Sequence, residues 1–236
     1  MIEVRMTGVG PTGFAPLAAV FHDGSFDFFD AGGTASAALE LLAEEGGPGD
    51  LLGTAPGSAN AGPVFGNNPA PGPPIFTPGG TGSFVFTVDD TNTNFSFASM
   101  LLPSNDWFIG NDDPTAYDIS SLINAANGTE LVINASTVWD AGTESEDFAF
   151  SPGNPLIGVP DGDAAGGDTA GGTISALSGT DPFAGFANAP AGFDSTAFDF
   201  SGGDVATITL TVVPEPSATL LGGLAAGGLL LRRRRK

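Results

Sequence analysis

Apolar and polar residues alternate with a period of two in several separate stretches of this chain. Residues 2–9 (IEVRMTGV) and 14–22 (FAPLAAVFH) read as two strands around a turn at Gly10-Pro11-Thr12-Gly13. Strand signals resume at 82–88 (GSFVFTV) and 95–102 (FSFASMLL), with DDTNTN between them as a polar hairpin tip. The longest β-like run is ELVINASTVW at 130–139, and DVATITLTVV at 204–213 supplies a last strand with regular alternation. The period changes only once with conviction, in ASAALELLAEEGG. There Thr34 or Ser36 is placed to cap a helix, Leu39, Leu42 and Ala43 form its apolar stripe, and Gly46-Gly47 stop it.

The remaining stretches have weaker patterns. Residues 48–81 read as an irregular connection with one short strand at Val64-Phe65, and YDISSLINAANG as a short helix or a loop with one turn. About seven or eight strands, one short helix and long loops define an all-β chain, best built as an antiparallel β-sandwich. Composition agrees: 36 Gly and 19 Pro suit turns and open loops, and 41% apolar residues, 19 Phe among them, are enough for a core. The organisation expected is a sandwich body over 1–152, a Gly/Asp-rich loop or excursion over 153–203, a last sandwich strand at 204–213 and a distinct tail at 214–236.

Charge narrows the partners. Five of the six cations are residues 232–236, which leaves Arg5 alone against all 27 carboxylates in the rest of the chain. A phosphate backbone would be repelled by such a surface, so no nucleic-acid partner is expected. With no Cys and one His, thiolate chemistry, zinc, haem and iron–sulfur sites drop out, and any bound metal should be a hard cation held by oxygen.

The tail is an address. Residues 217–231 form an apolar run that as helix spans roughly 22 Å, short of a hydrocarbon core of about 30 Å. It ends in Arg232, Arg233, Arg234, Arg235 and Lys236, a cluster that stays on the cytoplasmic side and leaves the acidic body outside. Pro214, Glu215 and Pro216, then an apolar helix, then a basic cluster resemble the PEP-CTERM sorting signal of Gram-negative bacteria. That resemblance implies export, transient anchoring in the inner membrane, processing by an exosortase near Pro214–Pro216, and a place in the extracellular polysaccharide matrix. Met1 runs straight into a strand pattern with no charged and apolar leader, so for an exported protein the start of the precursor is expected upstream.

Chemistry concentrates in two acidic loops, SMLLPSNDWFIG at 99–110 and WDAGTESEDF at 139–148. Asp140 and Glu144, with Gly142 between them, are spaced to fold back as a turn and aim both carboxylates at one point, and Asp106 approaches from the neighbouring loop. Three carboxylates with carbonyl and water oxygens make a calcium cage. Two other readings stand beside it. Asp140 and Glu144 could form a glycosidase-like acid and base pair, and Trp107 and Trp139 could stack on sugar rings, although a Trp beside a loop more often anchors that loop on the core. His22, at a strand end, reads as a hydrogen-bonded structural residue before a base or ligand.

SMLLPSNDWFIG and DAGTE, with VFHDGSFDFFDAGGTAS and LAEEG upstream, resemble the spondin N-terminal domain over about residues 2–152. The resemblance implies a C2-like β-sandwich in which Asp106, Asp140 and Glu144 bind Ca2+. Glu144 stands where Asp is usual, and the disulfides of the animal domain have no counterpart here. The function expected is a non-enzymatic, calcium-binding adhesion or matrix-associated module of a Gram-negative surface, partnered with extracellular polysaccharide or matrix proteins. The alternatives are a lectin-like carbohydrate binder and, further off, a secreted hydrolase.

Overall fold

The computed structural model describes residues 1–68, 74–102, 104–144, 170–177, 200–201 and 203–215. Eleven strands and two short helices run in the order β1 (Ile2–Gly8), β2 (Gly13–Phe14), β3 (Leu17–His22), α1 (Ala37–Glu45), α2 (Gly49–Leu52), β4 (Asn60–Val64), β5 (Thr81–Phe86), β6 (Asn94–Leu102), β7 (Trp107–Gly110), β8 (Glu130–Ala135), β9 (Val138–Asp140), β10 (Ser175–Ala176) and β11 (Ala206–Val212). They form two antiparallel sheets. One has the order β5-β1-β11-β8; the other has the order β10-β9-β7-β6-β3-β4, with β2 paired to β6. The chain is an all-β sandwich.

The two sheets differ in how they meet water, and their sequences show why. In the four-stranded sheet, β1 and β11 alternate strictly: Ile2, Val4, Met6, Ile208 and Leu210 point inward, while Glu3, Arg5, Thr7, Thr207 and Thr209 face out. A strand with one wet face needs this pattern. In the other sheet every residue of β3 is buried, as are all but the ends of β6, because this sheet is covered twice. Phe21, Phe95, Phe97, Trp107 and Ile109 pack against the first sheet. On the opposite face Ala18, Val20, Ala98 and Phe108 lie under Phe26, Phe28 and Phe29 and under Leu39, Leu42 and Ala43 of α1. The small Ala18 and Ala98 leave room for that helix.

Helix α1 follows its sequence signals closely. Ser36 is the N-cap, accepting at 3.2 Å from the Leu39 N–H, and Gly46 ends the helix in the left-handed region at φ 73°. A Cβ at Gly46 would lie 2.7 Å from that of Ala15, so packing and backbone both require glycine there.

Several elements depart from the expected boundaries. The run 14–22 breaks at Ala15-Pro16 into β2 and β3, because proline gives no ladder donor. In 48–81 there is a second helix, α2, and the short strand falls at 60–64, leaving Phe65 outside it and half exposed. The segment 117–128 forms turns that bury Ile119 and Leu122. ELVINASTVW is two strands, not one: β8 pairs with β11 in one sheet and β9 pairs with β7 in the other, so the chain changes layers at Ser136-Thr137. Within 153–203 the described part includes β10, paired with β9. Pro216, the apolar run 217–231 and the basic cluster 232–236 lie outside the described residues, as does most of 153–203. Among the described residues no helix is long and apolar enough to cross a membrane.

Candidate functional site

The two acidic loops meet because β7 and β9 are neighbours. Trp107 and Asp140 are cross-strand partners, and the Ala141 N–H donates to the Asp106 carbonyl at 3.2 Å. Asp106 therefore sits just before one strand and Asp140 at the end of the other. Ser104 holds the approach to β7: its hydroxyl bonds the Leu101 carbonyl at 2.5 Å and accepts from the Trp107 N–H at 3.1 Å.

After Asp140 the chain turns sharply. The Asp140 Oδ1 accepts from the Gly142 N–H at 2.6 Å, an Asx-type turn, and Gly142 has φ 67°. Its position is also crowded, since a Cβ there would stand 2.8 Å from the Thr173 nitrogen. The segment leading to β10 closes against this turn through Gly172 N–H to Gly142 carbonyl at 2.7 Å and Ala170 N–H to Thr143 carbonyl at 2.8 Å.

Turned back in this way, the loop presents its backbone donors to Asp106. The Asp106 Oδ2 accepts from the Thr143 N–H at 3.0 Å, the Glu144 N–H at 3.0 Å and the Thr143 hydroxyl at 3.3 Å. Asp106 is fully buried, Glu144 is 6% exposed and Asp140 is partly buried. The second Asp106 oxygen, Oδ1, is buried and accepts no hydrogen bond among the described residues.

A fourth acid joins them from α1. Glu44 is 6% exposed, lies beside the Thr143 side chain and interacts electrostatically with Glu144 and Asp106. Its Oε1 is likewise buried with no hydrogen-bond partner. Sequence reasoning cited LAEEG only as part of the resemblance and did not assign Glu44 to the site. The available signal was an acid in the last turn of an amphipathic helix, one residue past the buried Ala43, where exposure would be the ordinary outcome.

The electrostatics record the crowding. Burial pushes the Asp106 carboxyl up to about 6, with the nearby Asp140 adding to the rise and the N–H groups of Glu144 and Thr143 opposing it. Burial likewise raises Glu44 to about 7, against the Thr143 hydrogen bond and with help from Glu144, Glu40 and Asp106. Asp140 is raised by burial and partly relieved by the Gly142 N–H. No basic side chain offsets this: among the described residues Arg5 is the only Lys or Arg, and it pairs with Glu3 at 3.1 Å on the wet face of the other sheet.

The donor set fits a hard cation, because it consists of carboxylates and includes two buried oxygens that no protein donor satisfies. Among the described residues, however, no three acids stand close enough together to hold a metal ion.

The other candidates are structural. The Nδ1 of His22 accepts from the Gly24 N–H at 3.0 Å, which leaves Nε2 to carry the proton and donate to the Ser96 hydroxyl at 3.0 Å. Burial lowers its pKa, so the ring is held neutral. Trp107 is 2% exposed and packs edge-on against Phe200; Trp139 donates from Nε1 to the Gly110 carbonyl at 3.1 Å and packs against Phe29. Both anchor the acidic loops on the core. Pro214 and Glu215 are exposed and follow β11 directly, after the Val213 N–H has bonded the Met1 carbonyl at 3.0 Å.

A β-sandwich with acidic loops gathered at the ends of adjacent strands is the class of protein described. The family model for the spondin N-terminal domain (Spondin_N) matches residues 9–157, well over half of the chain, and the chain belongs to this family. A search of curated proteins finds no match.

Proposed function

We propose that this chain is an exported, non-enzymatic, calcium-binding module of a Gram-negative cell surface, acting in adhesion or in the polysaccharide matrix and delivered by exosortase-type sorting. Membership of the spondin N-terminal family supports the extracellular, matrix-associated part of this reading. The calcium part rests on one observation above the others. Asp106 is fully buried, spends Oδ2 on three donors from the 143–144 turn, and keeps an Oδ1 that no protein donor reaches. Asp106, Asp140 and Glu144 would hold the ion, which supplies a positive charge that no Lys or Arg among the described residues brings to Asp106.

Binding the folded form alone would stabilise the domain by mass action and lock the turn after Asp140 onto β7. The full burial of Asp106, with no Lys or Arg beside it among the described residues, favours a structural ion over acid and base catalysis. The exposed Pro214 and Glu215, directly after the last strand, suit processing of the tail by an exosortase while the sandwich stays folded.

Calcium titration of the purified chain by calorimetry, with melting curves in calcium and in EDTA, tests the proposal. Wild type should bind one equivalent and melt at a higher temperature in calcium, and Asp140→Asn should lose most of that gain. Identical melting curves in both conditions would remove the calcium site.

A further inference from the structure

Glu44 occupies a place that disfavours a carboxylate, with only partial relief from the Thr143 side chain. It lies in the last turn of α1, where the negative end of the helix dipole repels an anion. It is 94% removed from water, since only 6% of it is exposed, and its neighbours Glu144 and Asp106 carry the same sign. The Thr143 hydroxyl donates to the Asp106 Oδ2 at 3.3 Å; it also lies near enough to Glu44 to ease its charge, yet it has one proton to give. Glu44 Oε1 and Asp106 Oδ1 both remain buried without a hydrogen-bond partner among the described residues. Buried carboxylates persist where a counter-charge compensates them, and no Lys or Arg among the described residues reaches this place.

We infer that Glu44 is a fourth carboxylate ligand of the cation held by Asp106, Asp140 and Glu144, and that it ties helix α1 to the 140–144 turn when the ion is bound. This inference rests on the calcium reading of the site. It assigns the ion a second structural task. Three of the acids belong to the β7 and β9 ends, but Glu44 belongs to the helical layer that covers the other face of the same sheet. An ion touching both would add a polar tie between two layers that Leu39, Leu42 and Ala43 already join by apolar packing.

Calorimetric calcium titration and thermal melting of the full chain, as wild type, Glu44→Gln and Asp140→Asn at about pH 8, test it. Gln keeps the size of the side chain and an acceptor for Thr143 but carries no charge. Glu44→Gln should weaken calcium binding about tenfold or more, because site affinity follows ligand charge. In EDTA the same variant should melt at or above the wild-type temperature, since a buried like charge has been removed. A packing residue would give the reverse pair of results, a lower melting temperature in EDTA and an unchanged calcium affinity, and that outcome overturns the inference. If Asp140→Asn loses calcium while Glu44→Gln binds as tightly as wild type, only the role of Glu44 falls. If wild type binds no calcium, the site and this inference fall together. Should Glu44→Gln not fold, Glu44→Asp retains the charge with a shorter reach, and an affinity equal to wild type would overturn the assignment.

Discussion

The buried carboxylate of Asp106 receives the backbone N–H of Glu144 at 3.0 Å, joining two loops 38 residues apart. One oxygen thereby organises the whole turn after β9, since Thr143 donates to it twice more. Replacing Asp106 by Ala strands these donors in a dry place. With each buried unsatisfied group costing about 1–3 kcal/mol, Asp106→Ala should lose roughly 2–4 kcal/mol at about pH 5, where the wild-type carboxyl is largely neutral. At about pH 8 the loss should be smaller, because the variant no longer buries an ion. Urea denaturation in EDTA at the two pH values measures both.

Acidity should stabilise the calcium-free chain over a defined window. Asp106 and Asp27 are raised to about 6 and Glu44 to about 7, chiefly by burial, and Asp140 is raised as well. A carboxyl whose folded pKa lies above its unfolded value penalises folding at high pH, and the penalty fades as pH falls through the folded pKa toward the ordinary range. His22 acts in the opposite sense, because its lowered pKa makes the unfolded chain take up a proton first. Four acids outweigh one imidazole, so the melting temperature in EDTA should rise from about pH 8 to about pH 5. Below about pH 4 it should fall, as Asp23, Asp89, Asp113 and Asp118, all lowered by their own turn hydrogen bonds, become protonated. Bound calcium holds the raised carboxylates ionised, so its stabilising effect should be largest at the alkaline end.

Gly142 is required twice, by φ 67° and by the 2.8 Å approach its Cβ would make to Thr173. Gly142→Ala should cost about 1–3 kcal/mol in EDTA. It should also weaken calcium binding, because Asp140 and Glu144 flank the distorted residue. Paired melting and titration of this variant would show both losses together.

His22 offers a contrast at a distance from the acids. Substituting Ala leaves the Gly24 N–H without an acceptor and removes a partner of Ser96, in a pocket closed by Phe26. His22→Ala should therefore destabilise by about 2–4 kcal/mol while leaving calcium affinity within about twofold. A large affinity loss at unchanged stability would instead make His22 part of the site.

The tail makes its own prediction. Pro214 and Glu215 are exposed immediately past β11. Mass spectrometry of the native protein taken from the cell surface should find the chain ending near Pro214. Mature surface protein that still carries Lys236 would count against sorting by an exosortase.

Much of the sandwich was legible along the chain because a half-buried strand must alternate. IEVRMTG and ATITLTV did so, and both became central strands of the four-stranded sheet. The twice-covered sheet was harder to read, since LAAVFH has no polar face to mark its period. The break of ELVINASTVW between two sheets had no local mark beyond Ser136-Thr137, two residues that are unremarkable in any strand. Helix α1 was plain down to its stop at Gly46, with the structure choosing Ser36 over Thr34 as its cap, yet its burial of Glu44 was not, because an acid at that helical position ordinarily turns to water.

By itself the sequence determined the β class, the stop of α1, the oxygen-only character of any metal site and a turn around Gly142. These follow from local sterics, hydrogen-bond inventory and residue chemistry. Only the tertiary structure decided that β9 lies beside β7, that Asp106 accepts the turn's backbone donors, and that Glu44 joins them from the covering helix. Those facts depend on which strands pair and which faces are buried, and burial is what turns ordinary carboxylates into a cluster in need of a counter-charge.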